Sequence, residues 1–229
     1  MQVIMERLYL NFVKDNRWQY LANGLKTTLI VTLGAVMIGI LIGFVVAVVR
    51  STYEKTKKLK ILNLVCRLYL TVLRGTPVVV QLLIIYFVIF GSVSINKTFV
   101  AIVAFGLNSG AYVAEIIRSG IMSIDEGQFE AGRSLGFNYP QTMIFIILPQ
   151  ALKNVLPALA NEFIVLLKET SVAGYIALED LTKGGDIIRS RTYDAFMPLI
   201  AVALIYLVMV VTFSKLVNIL ERRLRNSER

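Results

Sequence analysis

Five stretches of this chain carry no charged side chain over lengths that match the thickness of a bilayer: 27–49, 75–96, 98–114, 134–152 and 195–214. Crossing the hydrocarbon takes roughly 20 apolar residues as a helix. The first, second and fifth stretches meet that length outright. The third and fourth meet it only where polar groups at one end face protein or water, and such groups in a membrane mark function. With 56% hydrophobic residues and a mean hydropathy of +0.69 over 229 residues, the chain is too apolar for an ordinary soluble domain. The reading is an all-α integral membrane protein, a single domain over 1–229 with about five transmembrane helices near 21–49, 61–91, 98–121, 140–167 and 195–219.

Lysine and arginine set the orientation. The loop after the first span holds Arg50, Lys55, Lys57, Lys58 and Lys60 against Glu54, and the tail holds Arg222, Arg223, Arg225 and Arg229. By the positive-inside rule both are cytoplasmic. The 92–97 loop has one basic residue, Lys97, and belongs outside. Five spans then put the N-terminus outside, the C-terminus in the cytoplasm, and residues 118–140 inside. This topology accounts for most of the net charge of +9. No basic stripe lies on a soluble domain, so nucleic-acid binding is the weaker reading.

Several chemistries are disfavoured. Cys66 is the only cysteine and there is no histidine, so neither a disulfide within the chain nor the commonest metal ligand and general base is available. An intramembrane enzyme needs a nucleophile–base pair or a metal cluster, and nothing in the sequence compels one. A channel more often shows a selectivity-filter repeat or an uninterrupted pore helix. No phosphate-binding loop occurs; Gly24-Leu25-Lys26-Thr27 lacks the upstream glycine and the Gly-Lys pair. If transport is ATP-driven, another subunit hydrolyses the ATP. Residues 1–20 lack a signal-peptide core; Val3, Ile4, Leu8, Leu10, Phe12 and Val13 alternate with Glu6, Arg7, Lys14 and Asp15, the pattern of an interfacial amphipathic helix.

Between the third and fourth spans lies a polar segment with its own punctuation. Ser123-Ile124-Asp125-Glu126-Gly127 reads as a turn with acids at a helix start. A short helix follows within 127–138, ended by Gly136 in a left-handed conformation. Asn138-Tyr139-Pro140 then starts the next helix, with Pro140 in its first turn. The spacing Glu130-Ala131-Gly132, Gly136, Ile146-x-Leu148-Pro149 resembles the EAA signature of importer-type ABC transporter permeases. Tyr20-Leu21-Ala22-Asn23-Gly24-Leu25-Lys26-Thr27-Thr28, Arg74-Gly75-Thr76-Pro77 with Gln81, Asn108 to Glu115 and Leu166 to Ser171 are similar to the polar amino acid branch of that family. Together they cover most of residues 20–180. One position departs: the third of the triplet is Gly132, and glycine inside a helix costs roughly 1 kcal/mol against alanine.

The resemblance implies a type I ABC importer permease (MetI-like) architecture in a prokaryotic inner membrane. It also implies that Glu130, Ala131, Gly132 and Gly136 belong to a coupling helix seated on an ATPase subunit, and that ATP and Mg are held there and not by this chain, which carries no catalytic or metal-binding residue. Five helices enclose too little space for a transport path, so a second permease subunit is expected, identical or a close paralogue. An extracytoplasmic amino acid binding protein delivers the substrate, a polar amino acid with cationic ones among the candidates.

Substrate contacts are sought where polarity is expensive. Asn108, Tyr112 and Glu115 fall at i, i+4 and i+7 on the third span, with Asn108 roughly 15 Å deep at 1.5 Å per residue. On the fourth span Asn154, Pro157 and Asn161 share a face, and Glu162 is adjacent. Pro149 and Pro157 each free a backbone carbonyl, and broken helices recur at transporter binding sites. Thr76 joins the set, with Glu162 as the acceptor for an amine or guanidinium. Alternatives stand beside these. Glu115 also suits a pair with Arg118, Asn108 and Asn161 also suit helix–helix hydrogen bonds, and Arg74 suits an anchor for a bend before Pro77. The 170–194 loop is either a dock for the binding protein or a solvated connection.

Overall fold

A computed structural model describes residues 2–226, with side chains through Leu224. Arg229 of the basic tail lies outside the described residues, as does the side chain of Arg225. Every regular element among the described residues is a helix. Four are long and apolar enough to cross a membrane: α2 (Trp18–Thr56), α5 (Lys97–Met122), the run Tyr139–Ile176 and α10 (Phe196–Asn226, apolar through Leu224). A bent pair, α3 (Lys60–Gly75) and α4 (Val78–Leu83, continued by a π-helical segment Ile84–Ile89), is apolar enough for a fifth when its halves count as one span. Ahead of these, α1 (Gln2–Leu8) exposes Val3, Ile4, Met5 and Leu8, while Asn11 just beyond it is buried and donates to Asp194 Oδ2 at 3.0 Å.

The centre of the molecule is the pairing of α2 with α5, and small residues allow it. Gly39 and Gly43 of α2 face Ser109 and Val113, and a Cβ on Gly43 would lie 2.5 Å from Val113 Cγ1. In lipid, where apolar burial gives little drive, such close packing holds helices together. One core cluster surrounds Val31, Ala35, Leu82, Phe105 and Leu166; a second, around Ala47, Val113, Ile117, Ile147 and Val155, closes the other end.

The second crossing, 61–91, bends before Pro77, where the sequence reading puts Arg74 as an anchor: α3 and α4 meet at 109°. Pro77 has no N–H, and the residue before a proline avoids the helical region, so Thr76 is extended (φ −123°, ψ 148°). The break strips partners from the last carbonyls of α3, and side chains replace them. Gln81 Nε2 donates to Leu73 O at 2.8 Å, Thr76 O at 3.0 Å and Thr76 Oγ1 at 2.8 Å, while the Thr76 hydroxyl donates to Val72 O at 2.8 Å. Asn108 Nδ2 donates to Gln81 Oε1 at 2.9 Å from across the α5 interface. Tyr69 adds a bond from its hydroxyl to Leu107 O at 2.6 Å.

Two expectations change. The fourth crossing is not broken at its prolines: α7 (Tyr139–Thr142), a π-helical turn (Met143–Ile147) and α8 (Leu148–Glu169) follow one another without interruption. Pro149 sits in the first turn of α8, where its missing N–H costs least, and Pro157 is carried inside the helix. The 170–194 segment is ordered into a 3-10 turn, Thr170–Ile176, and a helix, α9 (Leu181–Thr192). Asp180 caps α9 by accepting from Lys183 N at 2.9 Å and Thr182 N at 3.3 Å, and Leu181 N donates to Thr28 Oγ1 at 3.1 Å, which docks α9 on α2.

Gln81→Glu keeps the shape of the latch at the bend and removes its N–H donors. We expect it to destabilise the protein by about 1–3 kcal/mol, read as a lower midpoint of thermal unfolding in detergent near neutral pH. A wild-type midpoint would show that the bend does not depend on this side chain.

Candidate functional site

Between α5 and α8, beside the end of α3, lies a groove of about 530 Å³. Arg74, Tyr112, Glu115, Ser119, Asn154 and Glu162 line it. The bend places Arg74 there: its guanidinium lies 5.7 Å from the Tyr112 ring centroid and 3.9 Å from Glu115 Oε2. Asn154 Nδ2 donates to Ser123 Oγ at 3.0 Å at one end of the groove. Glu162 is buried, and its Oε1 accepts from Ser109 Oγ at 3.0 Å.

The residues singled out from the sequence divide. Tyr112, Glu115 and Glu162 meet on the groove. Asn108 shares their helix face but is 2% exposed, covered by the bent pair and bonded to Gln81. Thr76 stands in the bend itself, bonded to Val72 and Gln81 and outside the groove lining. Asn161 is exposed and also lies outside the lining. The difference is geometric. Residues four apart on α5 face the same way, and what covers each is decided by where α3 stops and turns.

Glu115 is held by Arg118, which bonds Glu115 Oε1 from Nε at 3.1 Å and also through its terminal nitrogen. Arg118 also reaches Glu54 at 3.5 Å, and Arg50 reaches the same Glu54 carboxylate at 3.5 Å. The chain of charges Arg50–Glu54–Arg118–Glu115–Arg74 therefore joins α2, α5 and α3. Glu162 has no salt bridge among the described residues.

At the far end of α5 the polar segment forms α6 (Glu126–Ser134). Asp125 caps it through Gly127 N at 2.7 Å. It ends with Gly136 N donating to Arg133 O at 2.9 Å and Phe137 N to Gly132 O at 3.0 Å, with Gly136 at φ 81°. This double bond pattern satisfies the last carbonyls only if the intervening residue is left-handed. Asn138 and Gln141 then cap each other at the start of α7. Glu130 and Ala131 are exposed, Glu130 on a concavity shared with Lys55 and Tyr139, and Gly132 is buried. The glycine has a cause: a Cβ there would lie 2.6 Å from Thr142 Cγ2 and 2.7 Å from Thr142 Oγ1. The space that alanine would need is occupied by α7. Lys55 at the end of α2 holds α6 in place, 2.8 Å from Glu126 Oε1 and 4.8 Å from the Phe129 ring centroid. That ammonium holds the Glu126 carboxyl below the usual carboxylate range.

Sequence reasoning missed Ser109 as the partner of Glu162, Gln81 as the closure of the bend and Lys55 as the tether of α6. Ser109 and Gln81 stood inside quoted motifs, but nothing in linear spacing says which neighbour a polar side chain meets.

Residues 39–226 match the family model described as binding-protein-dependent transport system inner membrane component. A Rickettsia typhi permease assigned to glutamine transport is 38% identical over 207 residues, covering 90% of this chain and 93% of that one. The arginine transport system permease protein ArtQ of Bacillus subtilis is 37% identical over 212 residues, 91% of this chain and 94% of its own. The crystal structure of an amino acid ABC transporter with histidines is similar at 46% identity and TM-score 0.82, covering 90% of this chain and 94% of the other.

Gly132→Ala on its own is expected to lower the thermal midpoint in detergent, because Thr142 is β-branched and buried and has little room to turn. In a Thr142→Ala background the same change becomes neutral or stabilising, since the helix-propensity gain of roughly 1 kcal/mol is then unopposed. Additive effects in this double-mutant cycle would remove the contact as the reason for the glycine.

Proposed function

The chain belongs to the family of binding-protein-dependent transport system inner membrane components, and on that premise we propose that its groove passes a polar amino acid, cationic ones included. It is a multi-pass permease subunit of an amino acid ABC importer, with ATP hydrolysis on a separate subunit and a binding protein as a further partner. One observation carries the choice of solute. Glu162 is a carboxylate on a groove in the membrane whose described contact is a neutral hydroxyl, Ser109. A charge at such depth is expensive unless hydrated or paired, and a ligand ammonium or guanidinium supplies the pair. Glu115 is already committed to Arg118. Arg74, on the same groove and 3.9 Å from Glu115 Oε2, is the cation that the ligand carboxylate would share with Glu115. The arginine and glutamine assignments of the relatives are in keeping with this choice.

We assign the short helix α6 to the ATPase. Its Glu130 and Ala131 are exposed, while Gly132 and Lys55 tie it to α7 and α2, so displacement of α6 is transmitted to two spans. The proposed assembly places the N-terminus outside and the basic ends inside a prokaryotic inner membrane, beside a second permease subunit, identical or a close paralogue, that closes the path. Mg and ATP stay with the ATPase subunits.

Uptake into proteoliposomes bearing the complete transporter, with arginine, histidine, lysine and glutamine in competition, tests the acceptor. Glu162→Gln is expected to cut cation uptake about tenfold relative to glutamine, the worth of roughly 1.4 kcal/mol. An unchanged preference would falsify the role of Glu162. For α6, Gly136→Val forces a β-branched residue into a left-handed conformation at a cost of about 1–3 kcal/mol. It is expected to abolish co-purification with the ATPase subunit while the permease stays folded; full retention counts against docking through this helix.

A further inference from the structure

A second concavity, separate from the groove, runs along the seam between α2 and the α7–α8 run. It has two parts that meet at Tyr139. One, about 380 Å³, is apolar and bounded by Phe44, Val48, Ile121, Met143, Ile144 and Leu148. The other, about 300 Å³, is polar and includes Lys55, Thr56, Glu126, Glu130, Arg133 and Thr142. The α2 residues that line it, at 44, 48, 51–52 and 55–56, follow one stripe of the helix over roughly 18 Å. Along that stripe an aromatic and an aliphatic side chain give way to hydroxyls and then to a charge. On the facing side the π-helical turn Met143–Ile147 widens the helix and supplies Met143 and Ile144 to the lining.

Two hydroxyls at the junction are unusual. Ser51 Oγ, on the apolar part, and Thr142 Oγ1, on the polar part, are 3% and 1% exposed by residue and, like the Tyr139 hydroxyl between them, have no hydrogen-bond partner among the described residues. Other hydroxyls in these helices return their proton to the carbonyl four residues back, as Thr27, Thr32, Thr56, Thr71 and Thr212 do. A buried hydroxyl without a partner is destabilising, and the two lie where an apolar cavity becomes polar. The charges at the mouth balance: Lys55 and Arg133 against Glu126 and Glu130, with Lys55 bonded to Glu126 at 2.8 Å. A simple anion would meet the carboxylates and a simple cation the two bases. A headgroup carrying both signs suits all four.

We propose that this furrow holds one phospholipid with a zwitterionic, primary-ammonium headgroup. An acyl chain lies along the apolar part, the ester oxygens accept from Ser51 and Thr142, the phosphate meets Lys55 and Arg133, and the ammonium meets Glu126 and Glu130. The lipid then fills the angle between α6 and the two spans that carry it.

The test is native mass spectrometry of the full chain, purified in detergent, delipidated and titrated with phosphatidylethanolamine, phosphatidylcholine or phosphatidylglycerol of identical acyl chains. Phosphatidylethanolamine is expected to be the last lipid lost, held about fivefold more tightly than the other two, the worth of one hydrogen bond. A Ser51→Ala, Thr142→Val variant keeps the shape of the furrow and is expected to lose about the same factor for phosphatidylethanolamine. Without lipid that variant is expected to melt at or above the wild-type temperature, which separates lost binding from lost folding. Equal retention of the three lipids by the wild type, or undiminished phosphatidylethanolamine retention by the variant, overturns the proposal.

Discussion

A backbone carbonyl in hydrocarbon must find a donor within the protein, and this requirement shapes the molecule more than any single apolar contact. Helices meet it automatically. At Thr76–Pro77 the helix stops, and three side chains meet it instead: Thr76, Gln81 and, from α5, Asn108. Because the closure crosses from α4 to α5, the direction of α3 is fixed relative to the centre of the molecule. The 109° turn then leaves Arg74 over Tyr112 and beside Glu115. A straight second span would cover the same face of α5 along its length, and the groove would close.

The second constraint is charge. Arg50, Glu54, Arg118, Glu115 and Arg74 alternate in sign across three helices, three cations on two carboxylates. Each is partly exposed, so the individual pairs are worth little; their effect is to keep charges satisfied near the end of the spans. Lys55, the residue after Glu54, continues the connection to α6 through Glu126. The end of α2 thus holds α6 directly through Lys55 and reaches Glu115 on the groove through Arg118.

Local structure was legible wherever a short-range rule governs it. Gly136 ends α6 in a left-handed conformation, Pro140 stands in the first turn of α7, and the bend falls before Pro77. The Arg118 alternative for Glu115 could be weighed for the same reason, since residues three apart on a helix are neighbours. Gly132 was the opposite case. Read as a weakness in its helix, it is a fit to Thr142, ten positions on and in another helix. Pro149 misled because it falls in the first turn of α8, directly after a π-helical turn, and Pro157 because α8 carries it without ending there.

The sequence by itself determined the class: uncharged runs of bilayer length, basic residues gathered at particular ends, and a polar segment with its own caps. These are properties of composition and near neighbours, and solvent acts on them directly. Tertiary structure decided which polar residues share a space. Asn108, Tyr112 and Glu115 lie on one face by helical geometry, yet the first closes a bend and the other two line a groove. Glu162 found Ser109 and not Asn108. The physical reason is that burial of a polar side chain depends on what covers it, and the cover here is a neighbouring helix whose direction a proline and a glutamine set.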